Sequence, residues 1–86
     1  MVREEVFVRL NKVFQEVFDD GSIVVSDGTT AKDVEGWDSL MHITLISDVE
    51  DEFDIHFPMK DVAKMQNVGE MVDKIIELVE YSNDKQ

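Results

Sequence analysis

The chain has no cysteine. Disulfides, thiolate metal sites and a cysteine nucleophile are therefore excluded, and any thiol chemistry has to arrive on a cofactor. Proline appears once and glycine four times, too few for a linker-rich or low-complexity segment. Basic residues are scarce as well: eight Lys and Arg stand against twenty Asp and Glu, a formal net charge of −12 over 86 residues. A field of that sign repels phosphate backbones and anionic lipid heads, which argues against nucleic acid and membrane partners and for a basic protein surface. No apolar run reaches the length of a signal-peptide core or a membrane span, and the first turn is acidic at Glu4 and Glu5, so a cytoplasmic location is expected. With 43% hydrophobic residues the chain is apolar enough to fold despite its acidity, as one small domain over residues 1–81 with a fraying tail at 82–86.

Apolar periodicity predicts a helix from Val2 to Phe18, with Val2, Val6, Leu10, Val13 and Val17 in one stripe. Asp19-Asp20-Gly21 is expected to close it, with Gly21 as the left-handed residue and the aspartates in the loop. Residues 22–37 are rich in Gly, Ser, Thr and Asp but include Ile23, Val24, Val25 and Val34. They read as an ordered loop packed on the helices, because no second alternating run offers a pairing partner for a strand. A second helix begins at Asp38, an N-cap type of residue, and runs to about Phe53. Asp54 to Pro58 interrupts it. Met59 to Met65 forms one or two turns, and Asn67-Val68-Gly69-Glu70 opens the last helix in the manner of a capping box.

At about 100° per residue, Leu45, Ile46, Val49 and Phe53 gather on the buried side of the second helix, with His42 among them. Leu40 and Ile43 fall on the outward arc. If Asp38 caps the helix, Ser39 at its first position is free to point into water. No catalytic triad is available around it, since the histidines are only His42 and His56 and no Gly-x-Ser-x-Gly elbow exists. Both histidines read as non-catalytic, and Trp37 reads as a lid over the junction of loop and helix. Asp48, Glu50, Glu52 and Asp54 alternate like the start of a calcium loop, but Phe53 and Met59 stand where Gly and Glu are required, so no metal is expected.

Gly36-Trp37-Asp38-Ser39-Leu40, followed by a helix ending in Phe53-Asp54-Ile55-His56-Phe57-Pro58, resembles the acyl carrier protein family. The likeness includes the Asp-Ser-Leu motif at the start of the second helix, the proline-terminated exit, a short third helix and a last helix opened by a polar cap, so it extends over nearly the whole chain. It implies an all-α four-helix bundle of three long helices, one short helix and a long first loop. It implies too that Ser39 carries a covalent 4′-phosphopantetheine, placed there from coenzyme A by a phosphopantetheinyl transferase, flanked by Asp38 and Leu40. Acyl groups would be held on it as thioesters, the carrier itself catalysing nothing. The same resemblance assigns Asp38, Leu40, Ile43, Glu50 and Asp51 to the face read by the transferase and by acyl-activating or synthase enzymes with basic docking patches, the carrier acting as a monomer. Met41-His42 and Thr44 stand where carriers of general fatty-acid synthesis have acids, and Trp37 precedes the motif. These departures point to a specialised carrier for one fatty-acid, polyketide or related pathway. An aminoacyl or peptidyl carrier, and an unmodified acidic adaptor, are the alternatives.

Overall fold

The computed structural model describes residues 1–84, with side chains through residue 82. It contains α1 (Arg3–Val17), α2 (Ser39–Phe53), α3 (Met59–Lys64) and α4 (Val68–Asp84), with no strand among the described residues. The expected all-α bundle is therefore present. α4 continues helical to Asp84 through the first residues of the segment expected to fray, and residues 85 and 86 lie outside the described part.

The periodic stripes meet in one core. Val6, Leu10 and Phe14 of α1, Leu45 and Val49 of α2, and Val68, Met71, Val72 and Ile75 of α4 are fully shielded from water. Each such side chain removes apolar surface worth roughly 1.5–3 kcal/mol from solvent, which is what holds helices too short to persist alone. α1 and α2 run antiparallel: Phe14 meets Trp37 at the start of α2, while Arg9 pairs with Glu52 near its end at 2.7 Å. Val2, expected in the stripe, falls just outside α1 as its capping residue and is exposed.

Two helix ends differ from the expected chemistry. α1 closes on Asp19, which takes the left-handed conformation at φ 50°, and Gly21 does not have a positive φ. The Asp20 amide donates to Gln15 O at 3.0 Å and the Asp19 amide to Glu16 O at 3.4 Å, the paired bonds of a Schellman ending. α2 also closes on a left-handed aspartate, Asp54 at φ 54°, but there the Asp54 and Ile55 amides both turn to Glu50 O, the latter at 3.1 Å. Aspartate substitutes for glycine here because its short polar side chain tolerates the left-handed region better than most.

Residues 18–38 form the ordered loop anticipated from composition. Asn11 Oδ1 accepts the Val25 amide at 2.7 Å and Gln15 Nε2 donates to Ile23 O at 2.9 Å, tying the loop to α1 while Val25 and Val34 bury. Val24 stays exposed. The other side of the loop locks onto α4: the Val68 amide donates to Thr29 O at 2.8 Å and the Gly69 amide to Asp27 O at 2.9 Å. Asn67 Oδ1 takes the Glu70 amide at 2.9 Å, and Glu70 reaches back to the Gln66 amide, one residue beyond the usual reciprocal partner. Arg3 joins the clamp by pairing with Asp27 and, at 2.6 Å, with Asp73, and both carboxylates raise its pKa.

α3 is attached more lightly. It has no buried residue, and Asp61 holds it to α4 through Lys74 at 3.2 Å. Asp61, with Glu77, raises the Lys74 pKa. The Lys74 charge is therefore complete at neutral pH, and on the alkaline side the tether is lost as pH climbs past the ordinary lysine range.

The clamp predicts a contrast between two glycines. A Cβ at Gly69 would stand 2.8 Å from Asp27 O, whereas one at Gly28 meets nothing within 4 Å. Gly69→Ala is expected to cost about 1–3 kcal/mol, seen as a lower urea midpoint at unchanged slope. Gly28→Ala should leave the midpoint near wild type.

Candidate functional site

The entry to α2 is set by one backbone turn. Gly36 has φ 89°, a conformation that a side chain would strain, and it delivers Trp37 inward and Asp38 to the helix mouth. Asp38 is extended at φ −117° and its carboxylate accepts the Met41 amide at 2.9 Å, while its carbonyl takes the His42 amide at 2.8 Å. Asp38 thus performs both parts of the N-cap. Ser39, the first helical residue, is exposed with no capping duty.

Ser39 stands at the rim of a cleft of about 580 Å³ between the start of α2 and the α3–α4 side of the bundle. Trp37, Ile43, Met59, Val62, Met65 and Met71 make its walls largely apolar. Leu40 is 81% exposed and Ile43 61% exposed, so both occupy the outward arc that the helical wheel gave them. Asp51 is exposed too. Glu50 is not part of that open face. Its side chain is only 23% exposed, and its carboxylate accepts the Phe57 amide at 2.7 Å and lies 3.3 Å from His56 Nδ1. It organises the α2–α3 connection, because a carboxylate one turn before the end of α2 is the nearest acceptor for that loop's amide hydrogens.

Trp37 is half-buried, edge-on to Phe14 at 5.2 Å and stacked on the His42 ring at 5.9 Å. Its indole Nε1–H donates to His42 Nδ1 at 3.1 Å, and His42 Nε2 lies 3.3 Å from Val62 O. An indole N–H can only donate and a carbonyl can only accept, so both bonds exist together only in the neutral Nε2–H tautomer. This places His42 as a packed residue, as the wheel implied, and Trp37 as the lid of the junction. The bond between them and the α3 side of the cleft were not legible in the sequence. The one available signal was a core-side histidine five residues after the only tryptophan.

The cluster is thus a free serine at the positive end of a helix dipole, an apolar cleft beside it, and an outward apolar pair just past the capping Asp38. Such an end favours a bound anion such as a phosphate ester. Among the described residues no group of three or more His, Cys, Asp or Glu side chains is arranged to hold a metal ion, and no helix is long and apolar enough to cross a membrane.

Comparison with known proteins gives a consistent pattern. The family model described as phosphopantetheine attachment site matches residues 8–75. An acyl carrier protein of Lactobacillus johnsonii is 33% identical over 76 residues, covering 87% of this chain and 94% of that protein. The solution structure of holo acyl carrier protein from Geobacter metallireducens superposes with a TM-score of 0.87 at 33% identity, over 94% of this chain and 93% of that one.

The capping geometry yields a direct prediction. Asp38→Ala removes the acceptor for the Met41 amide and should lower stability by about 1 kcal/mol, whereas Asp38→Asn keeps an acceptor and should lose much less. Urea unfolding followed by circular dichroism measures both.

Proposed function

The chain belongs to the acyl carrier protein family, carriers rather than enzymes that bear a covalently attached phosphopantetheine, and on that premise we propose that Ser39 is the attachment residue of a specialised acyl carrier. When bound, the group supplies the thiol on which acyl units are held as thioesters, a chemistry the cysteine-free chain cannot provide itself.

One observation carries the assignment: Asp38 satisfies the helix cap, leaving the Ser39 hydroxyl exposed at the first position of α2. Asp38 holds the turn rigid so that the hydroxyl is presented at a fixed point. The amide hydrogens of the first turn and the dipole behind them favour the negative charge of a phosphodiester there. The adjoining cleft fits the cargo. Its walls of Trp37, Met59, Val62, Met65 and Met71 shelter an alkyl chain better than a charged amino group, which favours acyl over aminoacyl cargo. Methionine walls re-pack readily around chains of different shape.

Partner enzymes in this reading are a phosphopantetheinyl transferase and an acyl-activating or synthase enzyme with a basic patch. Asp38 and Asp51 offer the charges and Leu40 and Ile43 the apolar contact, while Glu50 acts by shaping the loop beneath. The first half of the outward arc carries Leu40, Ile43, Thr44 and Ser47 and no acid. A partner selected by apolar fit more than by charge follows from that composition, and a dedicated pathway of fatty-acid, polyketide or related type is the proposed setting.

Incubation of the apo-protein with coenzyme A and a broad-specificity transferase, followed by intact mass measurement, tests the assignment. Wild type is expected to gain one phosphopantetheine and Ser39→Ala none. An unmodified wild type beside a control carrier that loads normally would refute it, as would full loading of Ser39→Ala.

A further inference from the structure

The cleft beside Ser39 has one strong wall and one weak one. α2 buries Leu45, Ile46, Val49 and Phe53, whereas α3, the six-residue helix facing it, buries none. Elements with so little buried surface open locally at low free energy. Two polar tethers hold α3 in place. One is the Asp61–Lys74 pair, which ties it to α4 on the side away from the cleft. The other is the contact between His42 Nε2 and Val62 O, and both His42 and Val62 line the cleft itself.

We propose that His42 is the positioning residue of the cleft: by bridging Trp37 and the Val62 carbonyl it latches α3 to α2 and sets how firmly the cleft is closed. The proposal rests on the carrier reading for its meaning, since a cleft at the root of the attachment serine matters only if an arm is there, but its geometry is independent of loading. Three features support it. The ring spends both nitrogens on the bridge, which a histidine serving merely as core filler need not do. The far end of the bridge is anchored, because Trp37 packs against Phe14 of α1 in addition to stacking on His42. The near end lies one turn from Ser39, so movement of α3 is transmitted to the region where cargo would enter. His42 acts through α3 and touches no reacting atom in this scheme.

The two bonds can be separated by substitution. In His42→Asn the amide oxygen sits near the place of Nδ1 and can still accept from Trp37, but nothing reaches Val62. In His42→Gln the amide nitrogen sits near the place of Nε2 and can still donate to Val62, while the Trp37 bond is lost. Amide exchange by NMR on the full unmodified chain reads the latch. His42→Asn should speed exchange at the Asp61 and Val62 amides, both bonded to Pro58 O, about threefold to tenfold. The amides of Val72 and Ile75 in the α4 core should keep wild-type rates. Both variants remove the ring stacked on Trp37, the single tryptophan. Its emission maximum should therefore move further from wild type in His42→Gln, which also loses the indole hydrogen bond, than in His42→Asn, which keeps it, while α3 exchange in His42→Gln should remain slow. Unchanged α3 exchange in His42→Asn, or equal acceleration in α3 and α4, would overturn the latch. On the loaded protein, hydroxylamine should cleave an octanoyl thioester more slowly than an acetyl one, and His42→Asn should reduce that difference at least twofold. Equal cleavage in wild type, or an undiminished difference in the variant, also counts against it. Because exchange is measured before loading, failure of Ser39 to be modified would refute the carrier assignment alone and leave the latch to be judged on the exchange data.

Discussion

Every helix begins with amide hydrogens that its own backbone cannot satisfy, and the way this chain satisfies them at α2 and α4 fixes where everything else lies. At α4 the acceptors come from the first loop, whose Thr29 and Asp27 carbonyls take the Val68 and Gly69 amides. The loop is thereby pinned along its length, and its last residues can deliver Gly36 and Trp37 to a defined point. At α2 the acceptor is the side chain of Asp38. Had Ser39 supplied it, the hydroxyl would be bound to an amide and turned along the helix. Because the preceding residue does the capping, the serine is free. A local rule of helix chemistry thus decides the chemical availability of the one residue on which the proposed function turns.

The same small core explains why the bundle is uneven in strength. α1, α2 and α4 share the fully buried residues, and α3 receives what is left: Val62 half-buried, Met59 exposed, and two polar tethers. A chain of this size has limited apolar surface to distribute. Concentrating it in three helices leaves the fourth marginal, and the marginal one forms a wall of the cleft beside Ser39. On the proposed function, a weak element at that place lets the cleft open without disturbing the core.

Much of this was readable in the order of residues, and the exceptions have definite causes. Spacing of three and four identified the buried faces of α1 and α2, since amphipathic periodicity survives any detail of packing. Asp38 as cap, Ser39 as a free first residue, and the exposure of Leu40 and Ile43 followed from the helical wheel plus one capping rule. The closure of α1 by Asp19 in place of Gly21 did not follow, because left-handed tolerance is graded among residues and the nearest glycine is only the default. Glu50 was placed on the docking face by the family resemblance. Its half-burial depends on where the following loop folds back, a tertiary fact. The Trp37–His42–Val62 bridge joins three segments, and no periodicity encodes a contact between segments of different type.

Charge and apolar contact have separate places on this surface, and they act at different ranges. The net charge of −12 belongs to the whole molecule and is felt within about a Debye length, roughly 8 Å at physiological salt, so it raises the rate at which a basic partner arrives. It says little about which basic partner stays. In the proposed reading that choice falls to contacts that exclude water, which at the start of α2 are offered by the exposed Leu40 and Ile43 beside the hydroxyls of Thr44 and Ser47. Several acids are meanwhile engaged in structural pairs: Glu50 with the Phe57 amide, Asp61 with Lys74, Asp27 and Asp73 with Arg3, and Glu52 with Arg9. On the proposed function, an acidic carrier of this kind attracts many basic partners and discriminates among them by the shape of a small apolar patch beside its serine.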